Sequence, residues 1–212
     1  MQTQGDFYLS ELVSANPNQT HRNCSYSAVQ FDFAALRAYE AEWPHVGVLE
    51  VDAVLAWFDR TRTGFGQLPR SPIERALFAM LNIAAHELSP TTIVWIFYAL
   101  ESLLNTRPGE NRSAIERRVA MLLNLSEKQR ATLRRGLRGL YDYRSSVVHG
   151  GLKIIHPLHN ESLDRSIESE YSRMMEVADF GFSVLLACVQ ELVRRGSTSL
   201  NFVEAMMMDS SV

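Results

Sequence analysis

The segment YDYRSSVVHGG, at positions 141–151, places an arginine and a histidine, Arg144 and His149, at the end of a predicted helix. These two residue types suit cleavage of RNA. The imidazole of His149 would take or deliver a proton at the 2′-hydroxyl or at the leaving oxygen. The guanidinium of Arg144 would hold the phosphate and stabilise the charge of the transition state, with no metal ion required. The alternative is that both side chains only complete the helix end electrostatically.

The spacing of the two residues sets a condition on this chemistry. Five residues turn an ideal helix by about 140°, so the side chains of Arg144 and His149 point to different sides. They converge within one chain only if the helix unwinds near His149, which Gly150 and Gly151 permit. Otherwise they meet the corresponding residues of a second chain across a two-fold axis.

The helical region that precedes this pair is strongly basic. Nine arginines and lysines stand against three carboxylates between positions 112 and 144, a local charge of +6 in a chain of net charge −3. Such a surface attracts a phosphate backbone, so RNA is the expected partner. The candidate RNA-binding residues are Arg134, Arg135 and Arg138. The same arginines are also typical of the solvated face of an amphipathic helix.

The chain that positions these residues is predicted to form a series of helices from position 69 onward. The start signals are capping boxes at 71–74 and 113–116, Ser-Pro at 89–90, and Ser126. The predicted helices cover about 71–87, 90–104, 113–123, 126–149 and 162–195, with a short one at 201–208. In the helix that carries Arg144, the predicted buried side is Leu133, Leu137, Leu140 and Tyr141. Apolar residues at three- and four-residue spacing indicate an α-helical bundle.

The first 66 residues are predicted to form a small, mostly helical extension of unclear role. FAALRAYEAEW and VDAVLAWFDRTR read as helices, and VGVLEV between them as a short strand or a linker. TGFGQLPR, with two glycines and a proline, marks the predicted boundary. The expected organisation is therefore an all-α fold, with an extension at 1–66 and a helical bundle at 67–212.

Length, composition and the two cysteines bear on the size of the domain and on the location of the protein in the cell. A chain of 212 residues with 46% hydrophobic content suits one domain of moderate size. Cys24 and Cys188 match neither a metal spacing nor a disulfide framework, and no secretory signal is visible, which indicates a cytoplasmic protein. The most apolar window, 93–104, is too short to span a bilayer, so we expect a buried core helix and no membrane contact.

No metal or cofactor is expected from the remaining histidines. His156 and His159 flank a proline but lack a third ligand, and surface histidines are the simpler interpretation. His86 and Glu87 resemble the start of a metalloprotease motif, but Pro90 stands where its second histidine belongs.

Glu101 interrupts the most apolar window of the chain. A glutamate that faces the bundle interior needs a partner, because burial of an unpaired carboxylate is costly. Arg144 is the first candidate for that partner. The alternative is that Glu101 lies at the rim of the bundle.

Three segments together resemble one known family. YDYRSSVVHGG resembles the motif-bearing helix end of HEPN domains, in which Arg is followed after four to six residues by His. IVWIFYALESLL (93–104) is similar to the apolar helix with an embedded glutamate in the ApeA-like HEPN group, and AIERRVAMLL (114–123) to the helix that follows it. The resemblance covers roughly 69–195 and leaves out the first 66 residues.

The resemblance implies a HEPN-like helical bundle that acts as a metal-independent endoribonuclease. By position, Arg144 and His149 are the motif, Ser145 supports it and Glu101 orients Arg144. It also implies a homodimer with two motifs in one cleft, and a role in antiphage defence or a toxin–antitoxin system with an antitoxin or defence-system partner. Ser145 and Gly151 depart from residues common in other members. HEPN domains that have lost activity exist, so a non-catalytic helical module for RNA binding or protein assembly is the alternative.

Overall fold

The computed structural model describes residues 26–61, 68–106, 112–156 and 166–202. Within these residues the chain forms helices and no strands, which confirms the all-α expectation. The helices are α1 Val29–Glu40, α2 Val51–Thr61, α3 Pro72–Ala84, α4 Pro90–Leu103, α5 Arg112–Leu122, α6 Glu127–Val148 and α7 Ser166–Arg195. The segment VGVLEV is a linker that leads into α2.

The predicted start signals explain how α3, α4 and α6 begin. Ser71 caps α3 by accepting a hydrogen bond from the Glu74 N–H at 3.0 Å, but the predicted box is incomplete, because the Glu74 carboxylate accepts from the Arg70 N–H at 2.6 Å. Capping boxes open α4 at Ser89 and α6 at Ser126, where the Ser126 N–H donates to the side chain of Gln129 at 2.9 Å. These caps satisfy backbone N–H groups that have no partner inside the helix.

The predicted end of α3 and the predicted start of α5 were wrong. Helix α3 ends at Ala84 and not at 87, because the residues before Pro90 form the connection to α4. Ser113 does not cap α5, since that helix already begins at Arg112. Glu116, the expected second member of that box, instead accepts a charge-assisted hydrogen bond at 2.8 Å from Arg134 of α6.

The core lies where α4, α6 and α7 pack together. The predicted stripe of α4 is at most 2% exposed at each of its positions, namely Ile93, Ile96, Phe97, Leu100, Leu103 and Leu104. In α6, Leu133, Leu137 and Leu140 are fully buried as predicted. Tyr141 is 37% exposed, and Tyr143 takes the buried position instead. The helical rotation after Leu140 places residue 143, rather than 141, toward α7.

Glycines allow α7 to approach its neighbours closely. A Cβ at Gly136 of α6 would lie 2.2 Å from the ring of Phe180, and a Cβ at Gly181 would lie 2.7 Å from Ile96. Both contacts are shorter than carbon atoms tolerate, so a side chain at either position would force Phe180 or Ile96 to shift.

The described part of the N-terminal extension packs on the same core. Ala34 of α1 is buried against α7, and its carbonyl accepts a hydrogen bond from Ser183 at 2.8 Å. Helix α2 is anchored by Trp57, which is 2% exposed and donates from Nε1 to the Ser197 carbonyl at 2.7 Å. Gln190 accepts from the Gly47 N–H and donates to the Gly47 carbonyl. The boundary at 66 stays a prediction, because residues 62–67 lie outside the described ranges.

The chain after the last helix, α7, is described as far as Phe202. Helix α7 stops at Arg195 and is followed by Gly196 with a φ of 62°. Asn201 and Phe202 are not helical, and the rest of the helix predicted at 201–208 lies outside the described residues, as do positions 162–165. None of the described helices is both long enough and apolar enough to cross a bilayer.

Candidate functional site

Arg144 continues the buried stripe of α6. Leu133, Leu137, Leu140 and Arg144 follow one another at intervals of four, three and four residues, so they share one helix face. The three leucines are fully buried and Arg144 is half-buried at the end of their row. A guanidinium therefore stands where the helical pattern calls for another apolar side chain. This makes Arg144 an inward-facing cation at the edge of the core.

The guanidinium of Arg144 is held by an aromatic ring of α4. Its Cζ atom lies 5.5 Å from the centroid of the Phe97 ring, within the range of a cation–π contact. The Phe97 ring packs in turn against Tyr141, with 5.8 Å between the ring centroids. Helices α4 and α6 thus fix the position of the arginine through two aromatic side chains whose rings pack at a tilt of 60°.

Glu101 lies one helical turn beyond Phe97 and is half-buried. Burial raises the pKa of this carboxyl above its ordinary value, and the positive charge of Arg144 acts in the opposite direction. The described residues contain no direct ion pair between Glu101 and Arg144. The carboxylate is therefore within electrostatic reach of the arginine, and its assignment as the orienting residue stays a prediction.

His149 forms the end of α6 and is exposed to solvent. Its backbone N–H donates to the Ser145 carbonyl at 2.9 Å, so the helical hydrogen bonding continues up to this residue. The chain then reverses at Gly150, whose φ is 71°, and the Gly151 N–H donates to the Ser146 carbonyl at 2.8 Å. This is a Schellman-type helix end, which favours glycine at the left-handed position.

The helix does not unwind before His149, so the first route to convergence is absent. Arg144 faces the core, whereas His149 lies on the exposed side of the helix end. No contact among the described residues joins the two side chains within one chain, and the route across a two-fold axis stays a prediction.

Ser145 is half-buried between the two motif residues. Its carbonyl accepts the His149 N–H and so ties the histidine to the helix. Its hydroxyl has no hydrogen-bond partner among the described residues. The structure therefore gives Ser145 a backbone role, and a side-chain role in the site stays a prediction.

The three candidate RNA-binding arginines are exposed on α6. Arg134 is paired with Glu116 of α5. Arg135 and Arg138 have no ion-pair partner among the described residues. Arg134, Arg138, Ser145 and His149 recur at helical spacing along one side of α6, over about 22 Å. This row leads from the basic part of the helix to the histidine.

One residue in the count of basic side chains does not belong to the surface. Arg118 is 7% exposed, donates to the carbonyls of Leu104 and Asn105 at 3.4 and 3.1 Å, and lies over the ring of Phe202. It satisfies carbonyls at the end of α4, which a helix leaves without partners. The surface charge available to RNA is therefore smaller than the sequence count suggests.

Sequence reasoning missed Phe97 and Tyr141 as supports of Arg144. The interval of four residues between Leu140 and Arg144 signals that the arginine faces inward. No comparable signal in the sequence pairs it with Phe97, since that contact depends on how α4 and α6 cross.

Among the described residues, no group of three or more His, Cys, Asp or Glu side chains is arranged to hold a metal ion. His156 is exposed, and His159 lies outside the described ranges. Cys188 is fully buried, which raises the pKa of its thiol to about 12, so it is a core residue and not a nucleophile.

Comparisons of the chain with protein-family models, with curated proteins and with solved structures found no match. The resemblance to HEPN domains is therefore carried by the segments at 93–104, 114–123 and 141–151 alone.

Proposed function

We propose that this protein is a metal-independent endoribonuclease of HEPN type that acts as a homodimer in the cytoplasm. The observation that carries the proposal is Arg144, an arginine placed on the buried stripe of α6 and held on Phe97 near a half-buried carboxylate. A cation at the rim of a core, fixed by aromatic packing, is a preorganised group for a phosphate. His149, one turn further and exposed, supplies the titratable group.

The proposed reaction is transfer of the phosphate to the neighbouring 2′-oxygen. His149 removes the 2′-hydroxyl proton, and the 2′-oxygen attacks phosphorus. The bond from phosphorus to the 5′-oxygen breaks, and that oxygen receives the proton that His149 has taken up. The products are a 2′,3′-cyclic phosphate and a 5′-hydroxyl. Arg144 stabilises the negative charge on the phosphoryl oxygens.

The proposal of a dimer follows from the divergence of Arg144 and His149. Within one chain the two side chains lie on different sides of α6, so a two-fold axis is the arrangement that brings an arginine and a histidine to one phosphate. The proposed role in antiphage defence or a toxin–antitoxin system, with a matching antitoxin or defence-system partner, comes from the family resemblance.

The same divergence favours the second candidate, a non-catalytic helical module for RNA binding or protein assembly. Exposed arginines on α6 attract RNA whether or not His149 takes part in chemistry. Such a module binds RNA in a salt-dependent way and shows no turnover.

The test is an RNA cleavage assay in EDTA with the wild type, Arg144→Ala and His149→Ala. Arg130→Ala, on the same helix, and His86→Ala, at the end of α3, are matched controls. We expect cleavage by the wild type and both controls, and its loss in the two motif variants. Undiminished cleavage by a folded His149→Ala variant would overturn the mechanism.

A mixture of Arg144→Ala and His149→Ala chains tests the two-fold site. If each site uses residues of both chains, mixed dimers keep one arginine and one histidine and recover part of the activity. Binding of RNA without cleavage by any dimeric variant would support the binding module instead.

A further inference from the structure

A small apolar cavity of about 230 Å³ lies beside the end of α6. One wall is the segment 152–156, which begins three residues after His149, and Tyr143 of α6 forms part of another. The first turn of α4 and the first turns of α7 complete the enclosure. The Leu152 N–H donates to the Ser146 carbonyl at 3.0 Å, so the same helix end that carries His149 also fixes this wall.

The size and lining of the cavity suit one planar ring system. Cavities for drug-sized ligands measure about 300–1,000 Å³, and this one is smaller. Tyr171 is exposed and presents aromatic surface, whereas the buried Tyr143 and Met174, together with Ile155, form apolar wall. Single-stranded RNA is commonly bound by stacking of its unpaired bases on such aromatic side chains.

The polar groups of the lining indicate which base would fit. Glu170, on the first turns of α7, has a carboxylate with no hydrogen bond or ion pair to any described residue, and Lys153 stands on the opposite segment. An ionised carboxylate only accepts hydrogen bonds, and an ammonium only donates them. The cavity therefore offers a double acceptor and a donor around an apolar slot.

We propose that this cavity binds a guanine base of the RNA adjacent to the scissile phosphate, an inference that rests on the proposed ribonuclease function. The N1–H and N2–H groups of guanine are two neighbouring donors that a carboxylate accepts together, and its O6 accepts from a lysine. Adenine and cytosine each present one amino group beside a ring nitrogen whose lone pair would face the carboxylate. Uracil presents one N–H between two carbonyls.

The first test is calorimetric titration of the full-length protein with GMP, AMP, CMP and UMP. We expect GMP to bind most tightly and Glu170→Gln to weaken it by about tenfold or more, since hydrogen bonds to a charged acceptor are lost. Glu168→Gln, an exposed position of the same helix outside the cavity, is the matched control and keeps the wild-type affinity. Equal binding of the four nucleotides, or wild-type GMP affinity in Glu170→Gln, would overturn the inference.

The second test maps the cleavage sites in RNA, and it separates the two proposals. Cleavage next to guanine that loses this preference in Glu170→Gln supports both. Cleavage without base preference that is abolished in His149→Ala would support the ribonuclease proposal and contradict the guanine site. Binding of GMP that depends on Glu170, without any cleavage of RNA, would support the guanine site and contradict the ribonuclease proposal.

Discussion

Arg144 lies over the ring of Phe97, so an arginine of α6 is positioned by an aromatic residue of α4, with no direct ion pair to any residue that the structure describes. A planar guanidinium stacks on a ring and presents its N–H groups in a fixed fork, whereas an ammonium on a flexible stem does neither. The contact depends on the planar shape of the arginine as well as on its charge. A substitution that keeps the charge and changes the shape can therefore test it.

Arg144→Lys keeps the positive charge and loses the stacked fork. If the arginine stabilises the transition state, we expect cleavage to fall about a hundredfold, in the range seen when one preorganised donor is removed. Stability should change little, because a cation–π contact contributes only about 0.5–2 kcal/mol. Single-turnover cleavage and thermal unfolding measure the two effects. Arg138→Lys, on the exposed side of α6, is the control, and equal loss in both variants would contradict the role of the stack.

Glu101→Gln tests the half-buried carboxyl near Arg144. Because burial raises its folded pKa above the ordinary value of 4.5, the folded state holds its proton more tightly than the unfolded chain. That contribution to stability is present below pH 4.5 and is lost as pH rises through the folded pKa. We expect Glu101→Gln to gain stability relative to the wild type from pH 4 to pH 7, measured by urea unfolding.

The same substitution is expected to lower cleavage, since glutamine lacks the charge that acts on Arg144. A variant that is more stable and less active at neutral pH would show that the carboxylate serves the site at a cost in stability. A stability difference that stays constant with pH would mean that Glu101 titrates alike in the folded and unfolded states.

Much of the fold was predictable because its signals are local. Serine caps and the three- and four-residue apolar spacing depend on short stretches of chain, and they located the starts of α3, α4 and α6 correctly. Glu116 shows the limit: it fits a capping box by sequence, but the fold gives it Arg134 as a partner. Arg118 shows another limit. A count of charged residues assumes that every arginine lies on the surface, whereas the Arg118 side chain donates hydrogen bonds to carbonyls at the end of α4.

The candidates Arg144 and His149 could be picked out from the sequence, but their supporting residues and their geometry could not. The motif named Arg144 and His149, and helical spacing implied that they diverge. Whether α6 would unwind before His149 depended on how Gly150 and Gly151 end the helix, and the cavity beside them depended on where the following segment packs. Such contacts between distant parts of the chain leave no periodic signal.

The salt dependence of RNA binding should identify the basic side of α6. For single-stranded RNA, each phosphate contact contributes about 0.7 to the slope of log affinity against log salt. We expect Arg135→Ala and Arg138→Ala each to reduce this slope by about that amount, and Arg134→Ala to reduce it less, because Arg134 is already paired with Glu116. Fluorescence anisotropy with labelled RNA and the His149→Ala protein measures binding without cleavage.

Arg117→Ala on α5 provides a comparison for those variants, since it removes an exposed arginine of a different helix. If it changes the slope as much as Arg138→Ala, the RNA does not follow α6. If none of the α6 variants changes the slope, the arginines of this helix keep the protein soluble and do not contact the RNA.

Gly136 and Gly139 form a matched pair for the packing of α6. Both lie inside the helix, but a Cβ at Gly136 would meet the Phe180 ring at 2.2 Å, whereas a Cβ at Gly139 meets nothing within 4 Å. Alanine at 139 should stabilise the protein by about 0.5–1 kcal/mol, because alanine is a better helix former than glycine. Alanine at 136 gains the same helix propensity. It should nevertheless destabilise the protein by about 1–3 kcal/mol, since Phe180 must move away from its contact with Trp43. Urea unfolding of the two variants measures the difference, and equal stabilities would show that α6 and α7 do not pack through Gly136.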